Sequence, residues 1–398
     1  MIDNSGLLAL NISTLVVIVF SANLLILRTF ERQTYLPLAI CLVAIGVVIC
    51  QPTLAIFFPG LQTTFLILSL PAILLISPCF WFYVQGLTSE TPWRFIRTSL
   101  HHFIPAGVGF FIALLTIILP DDITRALLID GDDGILASEP YPLRYLVYGM
   151  LITTFILVVG WVLQSGFYFY KTIQRLIRYR QHLKDLFAST ESREIRWLSW
   201  LLFAVGTVWV ASAVYIVLDN LFYSIRINPI LINIVVLVML WSIALWGLRQ
   251  KPGFEDLYES QDDIKEVLVQ KGDQQRKYRR SALDAQQSSS IATKIEKAMY
   301  EDELYLDASL SLQKLAKHIF TSSNYISQTL NETLGMNFFD YVNQHRIGAA
   351  KRMLKSSDDA VLDIAMNVGF NAKSSFYTAF KKETGQTPNQ YRKHCEQI

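Results

Sequence analysis

A chain of 398 residues has room for two or three domains, yet 52% of it is hydrophobic, only 17% is charged and its mean hydropathy is +0.33. Few soluble chains of this size carry so little charge, which excludes a soluble globular protein throughout. The net charge of +2 averages two unlike regions, and four cysteines without CxxC or CxxxC spacing (Cys41, Cys50, Cys79, Cys395) imply neither a zinc site nor a disulfide framework. They read as small apolar fillers.

In chain order, seven apolar stretches are long enough to cross a bilayer as helices of about twenty residues. They lie near Leu7–Leu27, Leu36–Phe57, Thr63–Val84, Phe103–Leu119, Tyr145–Phe169, Leu198–Leu218 and Pro229–Leu248, the fourth being short. Prolines at 52, 71, 78 and 105 lie within or beside these spans, where they are tolerated but kink helices. The first run lacks a basic leader, Asp3 being the only charge before it, and is read as a retained span.

Charge placement sets the expected topology. With the N-terminus outside, the inner loops hold Arg28 and Arg32, then Arg94 and Arg97, then seven basic residues from Lys171 to Arg196, and last Arg249 and Lys251. The outer loops hold only Arg125 and Arg226, with Arg144 at a span's edge. The positive-inside rule then sends the C-terminus to the cytoplasm, which an odd number of spans also requires.

Three features of this half carry weaker signals. The outer loop Asp121–Tyr141 places Asp130, Asp132 and Asp133 beside two glycines, but without the distal glutamate of a calcium loop it reads as a solvated acidic loop. Asn11, Asn23, Gln51, Gln164 and Asn233 within spans either line a cavity or bond neighbouring helices. The longest inner loop, Lys171–Trp197, is basic and partly amphipathic, and its simplest role is topogenic charge resting on anionic headgroups.

Residues 250–290 turn polar, with opposite charges in balance, and read as a cytoplasmic tether. About forty flexible residues would give an r.m.s. span of roughly 35 Å.

Beyond it, one apolar pattern occurs twice about fifty residues apart. Leu312, Leu315, Ala316 and Ile319 are followed by Ile326, Leu330 and Gly335; Val361, Ile364, Ala365 and Val368 are followed by Phe376, Phe380 and Gly385. Each copy predicts one helix, a tight break and a second helix stopped by glycine, which is a helix-turn-helix. In the first, Thr321 or Ser322 is the expected cap, and Asn324, Ser327, Gln328 and Asn331 form an uncharged polar face suited to reading bases. In the second, Asn371 is the expected cap, with Lys373, Ser374, Tyr377 and Thr378 outward. Lys381, Lys382, Arg392 and Lys393 suit phosphate contacts. A helix from about Asn337 to Lys355, with different apolar faces at its two ends, would fix the spacing of the two readers.

The segments SLQKLAKHIFTSSNYISQTLNETLG, NFFDYVNQHRIGAAKRML, VLDIAMNVGF and SSFYTAFKKETGQTPNQYR resemble the AraC/XylS family of transcriptional regulators over roughly the last 100 residues. The family's closing Gly-x-Thr-Pro-x-x-Tyr-Arg stands here as Gly385, Thr387, Pro388, Tyr391 and Arg392. The resemblance implies base contacts at Asn324, Ser327 and Gln328 and at Lys373, Ser374 and Thr378. Some members carry arginines at these positions and this chain does not, so its target sequence is not inherited. The cupin arm of many relatives is replaced here by the apolar half.

The expected fold is all-α: a seven-span transmembrane bundle over 1–249, the linker 250–290, and a cytoplasmic double helix-turn-helix domain over 291–398. The expected function is a multi-pass regulator in the bacterial cytoplasmic membrane that binds double-stranded promoter DNA, with the spans as sensor of an unidentified signal ligand. RNA polymerase and a second copy of the chain, as a homodimer, are further candidate partners beside the lipid bilayer. The alternative is a transporter or channel carrying an autoregulatory DNA-binding domain, which the near absence of intramembrane charge weighs against. No HExxH, GxSxG or Walker A motif points to an enzyme, and no cofactor or metal is implied.

Overall fold

A backbone surrounded by nonpolar groups must pair its own N–H and C=O groups, and long apolar runs do so as helices. The computed structural model describes residues 4–132, 134–191, 193, 195–221, 228–254 and 285–396, and all regular elements among them are helical. The chain divides into two compact units, residues 1–176 with 195–260 and residues 177–194 with 261–398. Most of the linker expected at 250–290 lies outside the described residues.

The first unit contains α1 (Asn4–Thr29), α2 (Leu36–Ile49), α3 (Gln51–Phe57), α4 (Pro59–Leu87), α5 (Ile104–Ile118) and the short α6 (Asp121–Arg125). The long α7 (Tyr141–Leu186), α8 (Arg196–Leu221) and α9 (Pro229–Arg249) follow. Among the described residues five helices are long and apolar enough to cross a membrane, or six if α2 and α3, bent by 54°, are one broken span. α8 covers the remaining expected stretch, with its side chains described as far as Val208. α7 runs on past the expected end near Phe169, so much of the stretch Lys171–Trp197, expected as a loop, is helix.

The α2–α3 break sits at Cys50 and Pro52, where the missing proline N–H interrupts the helical ladder. Asn11 closes the gap: its amide donates to Ile49 O at 3.0 Å and accepts from the Thr53 hydroxyl at 2.7 Å. This amide bonds helices together, as does not hold for Asn233, which only caps back onto Pro229 O in its own helix. Large apolar side chains cover the outside of the unit; Val19, Phe155, Leu163 and Trp200 are each at least 67% exposed.

The acidic stretch after α5 is more ordered than a solvated loop. Ile123 and Leu136 are buried with Ile112, Val147 and Met150, and the Asp132 carboxylate accepts from Gly134 N at 2.9 Å. Asp133 lies outside the described residues, and no group of three metal-ligating side chains occurs among the described ones.

Where the chain leaves α9 it is held at several points. Arg28 donates to Leu248 O and, at 2.9 Å, to the Tyr35 hydroxyl, which donates in turn to Gln250 O at 3.0 Å. Trp197 Nε1 donates to Gln250 Oε1 at 3.0 Å, and Gly253 N to Leu87 O at 3.1 Å.

The second unit contains α10 (Ala285–Tyr300), α11 (Leu312–His318), α12 (Ser323–Gln328), α13 (Phe338–Ser356), α14 (Val361–Asn367), α15 (Lys373–Thr384) and α16 (Pro388–Glu396). Its core joins both copies of the repeated pattern: Leu315, Ile326 and Leu330 from the first, and Ile364, Phe376 and Phe380 from the second, are all fully buried. α13 lies between them, burying Phe338 and Val342 near one end and Ile347, Ala350 and Leu354 toward the other.

Candidate nucleic-acid interface

Each repeat builds a pair of short helices, and the turn between them decides where the second helix points. Ser311 caps α11 by accepting from Lys314 N, and Ser322 caps α12 by accepting from Tyr325 N, each at 3.3 Å. Of the two expected caps, Ser322 does the work, while the Thr321 hydroxyl bonds back to Ile319 O.

The second pair departs from expectation at this position. Ala372, not Asn371, is the residue before α15, and it offers no side-chain cap. The Asn371 amide donates instead to Ala308 O at 3.1 Å, so the side chain anchors the turn to the segment before α11.

The two turns also differ at equivalent positions, Phe320 and Gly369, both of which adopt positive φ, 52° and 92°. Gly369 admits no side chain: a Cβ there would lie 2.6 Å from Tyr305 O and 2.8 Å from Leu306 O. Phe320 adopts the same left-handed region with its ring 94% exposed.

On the first outer face Asn324 and Asn331 are exposed and Ser327 and Gln328 half-buried. The helix widens to a π turn over Thr329–Thr333, which buries Thr329 and Leu330 together and departs from the 3.6-residue spacing behind the expected stripe. Asn331 folds back onto Ser327 O at 2.9 Å, and Gln328 donates to Glu332 at 2.9 Å. Asn324 and Gln328 thus remain the amides at the start of the face.

On α15, Lys373, Ser374 and Thr378 are exposed, and the Thr378 hydroxyl donates to Ser374 O at 2.8 Å. Tyr377 is half-buried against the core, with the Lys373 ammonium 5.4 Å from its ring centre.

The four expected phosphate-binding residues divide in the same way. Lys381 and Lys393 are exposed. Lys382 pairs with Asp340 at 2.7 Å, an exposed ion pair of the kind worth little and easily exchanged for another anion. Arg392 is half-buried and donates to Asp359 O at 2.6 Å, an anchoring contact that sets the position of α16. Thr387 caps that helix, its hydroxyl accepting from Gln390 N at 3.4 Å.

One residue that sequence reasoning passed over organises the domain. Arg346, on α13, is completely buried. Its Nε donates to Tyr305 O at 2.7 Å, its Nη2 to Asp307 O at 2.9 Å, and its Nη1 to Ala188 O and Ser189 Oγ, each at 3.2 Å. Its guanidinium also lies 5.5 Å from the Phe370 ring centre in the second turn. Burial pulls its pKa down to about 10, with Glu191 and Asp307 opposing the shift, so it stays charged at neutral pH. The signal for it was a charge set directly between the apolar residues Val342, Ile347 and Ala350 on one helix.

A family model described as a helix-turn-helix domain matches residues 315–394. The melibiose operon regulatory protein of Escherichia coli (strain K12) is 32% identical over 91 residues, covering 23% of this chain and 30% of that protein. The C-terminal region is an AraC-type helix-turn-helix DNA-binding domain. An uncharacterised HTH-type transcriptional regulator of Staphylococcus aureus (strain COL) is 39% identical over 90 residues, or 23% of this chain and 12% of that one. The match to these curated relatives thus spans less than a third of their lengths and is confined to the AraC-type domain. Among solved structures, the C-terminal domain of AraT, a response regulator from Geobacillus stearothermophilus, is 30% identical, covering 25% of this chain and 84% of that chain with a TM-score of 0.24.

Proposed function

We propose that this chain is a membrane-bound one-component transcriptional regulator in which the AraC-type domain reads promoter DNA and the apolar half receives the signal. The observation that carries the reading is the joining, in one chain, of an AraC-type domain to several helices of membrane-spanning length with large apolar side chains exposed on their outer faces. In this reading there are seven spans, with α8 as the sixth and α2–α3 as a broken second, and the distribution of Arg and Lys supports an outside N-terminus and a cytoplasmic C-terminus.

In this reading α12 and α15 are the recognition helices of two helix-turn-helix motifs, and α13 sets their separation so that each enters a major groove. Asn324, Ser327 and Gln328 read one half-site; Lys373, Ser374 and Thr378 read the other. Asn331 and Tyr377 support these faces from internal contacts. Lys381 and Lys393 meet phosphates, Lys382 does so by leaving Asp340, and Arg392 holds α16 while presenting positive charge nearby. RNA polymerase, a signal ligand and a second copy of the chain remain partners of this proposal.

Topology is tested in cells and binding in bilayer discs. A reporter active only in the cytoplasm, fused after residue 398, should be active, and the chain should partition with membranes. In bilayer discs the full-length protein should enrich a defined motif from a pool of randomised duplexes. An inactive reporter or a pool without enrichment would contradict the reading.

A further inference from the structure

The AraC-type domain incorporates a piece of chain that precedes it by more than a hundred residues. Residues 177–194, the end of α7 and the segment after it, belong to the same compact unit. Phe187 pairs antiparallel with Ser311, and Ala188 N donates to Leu310 O at 3.1 Å. Ala188 is 1% exposed and counts among the core residues of the domain, with Leu186 packed beside it. The Lys184 ammonium lies 5.9 Å from the ring centre of Phe339 on α13. Arg346 then clamps the strand through Ala188 O and Ser189 Oγ.

We propose that Phe187–Ser189 is a docking strand which the AraC-type domain needs in order to hold its DNA-competent form, so that α7 acts on the first recognition helix through this contact. The proposal rests on the DNA-binding reading above and names the surface through which that reading is regulated.

The argument is one of shared residues. Ser311 pairs with the strand and also caps α11, the helix that supports α12. Arg346 grips the strand with one nitrogen and, with its other two, the carbonyls of Tyr305 and Asp307 just upstream of that cap. Strand, cap and connecting helix therefore meet in one hydrogen-bonded cluster, in which each bond fixes the geometry of the next. Withdrawing the strand removes both partners of Nη1, the donor to Leu310 O and a core side chain together. Water can replace the lost bonds, but it restores no restraint on residues 304–311 or on the start of α11. The 315–394 segment shared with relatives contains neither Phe187 nor Ser311. A strand on the same chain also sees its partner at high effective concentration, so weak pairing suffices and remains reversible.

The test uses the full-length chain in bilayer discs and a duplex that the wild-type protein enriches from a randomised pool. Ala188→Pro removes the N–H that pairs with Leu310; Ser189→Ala keeps the backbone and removes one acceptor from Arg346. Losing such bonds is expected to weaken binding roughly tenfold for the first and about two- to threefold for the second. Hydrogen exchange at Leu310–Leu315 should quicken in both, while protection in α15 is retained. If Ala188→Pro fails to fold, Ser189→Ala decides. Unchanged or tighter binding in the folded variants would overturn the proposal. Should the wild type enrich no duplex, the DNA-binding reading itself falls and this proposal with it, while slow exchange at Ala188 would still report the docked strand.

Discussion

Arg346 and Ala188 stand 158 residues apart in the sequence and meet at 3.2 Å, the buried guanidinium donating to the backbone carbonyl. A charge is tolerated in a core only when its donors are satisfied, and Arg346 directs its donors to four acceptors from two separate stretches of chain. Replacing it with methionine keeps much of the volume and orphans several buried carbonyls. The full-length chain carrying Arg346→Met should lose about 3 kcal/mol or more of opening free energy in its C-terminal unit, measurable by hydrogen exchange; a loss under about 1 kcal/mol would mean that these bonds are replaceable.

At Gly369 a methyl group meets backbone on two sides, and the φ of 92° disfavours any L side chain. Gly369→Ala should cost at least about 2 kcal/mol. Thermal melting of the variant checks this, and an unshifted midpoint would show that the turn can move away from Tyr305.

Phe320 invites the opposite change. Its left-handed backbone costs a non-glycine residue roughly 1–2 kcal/mol, and its exposed ring has little packing to lose. Phe320→Gly should therefore raise stability by about 0.5–1 kcal/mol after the entropy of glycine is counted. Lower stability in the variant would show that the ring makes contacts of its own value.

The difference between those two turns shows how far the sequence could be read. Apolar spacing revealed both helix pairs, their order and their shared core, because burial at i, i+3 and i+4 is a local property of a helix. The turn residues Asn371 and Phe320 were not legible in the same way. Asn371 is taken up by Ala308, and the expected stripe through Asn331 assumed a uniform helix that the π turn interrupts. The docking of Ala188 was beyond reach for a related reason: a single short bridge leaves no periodic trace. In the apolar half, the runs marked the helices well, whereas the length of α7 depended on residues too polar to register as a span.

His345 gives the domain a pH dependence. It is packed among the rings of Tyr341, Tyr300 and Tyr305, with centroid distances of 4.9, 5.1 and 6.2 Å. Burial lowers its pKa below the usual 6.5, with Glu296 pulling the other way. The unfolded chain therefore takes up its proton first as pH falls. Stability should decline from about pH 6.5 down to the lower native pKa and level off beneath it. His345→Gln should flatten that part of the curve; an identical slope in both proteins would assign the dependence to other groups.

The proposed recognition faces make separable predictions. Asn324→Ala or Gln328→Ala should cost about 1–3 kcal/mol against the preferred base pair and relax selectivity at that position alone. Lys381→Ala should weaken binding to every duplex alike and lower the slope of log affinity against log salt by about one. Titrations of a selected and a scrambled duplex over several salt concentrations separate the two classes. A uniform loss from Asn324→Ala would move that residue to a backbone role.

The most direct measurement is a genome-wide binding map of the full-length chain in cells, set beside that of a soluble fragment spanning residues 285–398. A membrane-bound regulator should give discrete sites sharing one bipartite motif, abolished by Asn324→Ala combined with Lys373→Ala, and the fragment, which lacks the Phe187–Ser189 strand, should occupy that motif more weakly. A full-length map without enrichment above background would contradict the account.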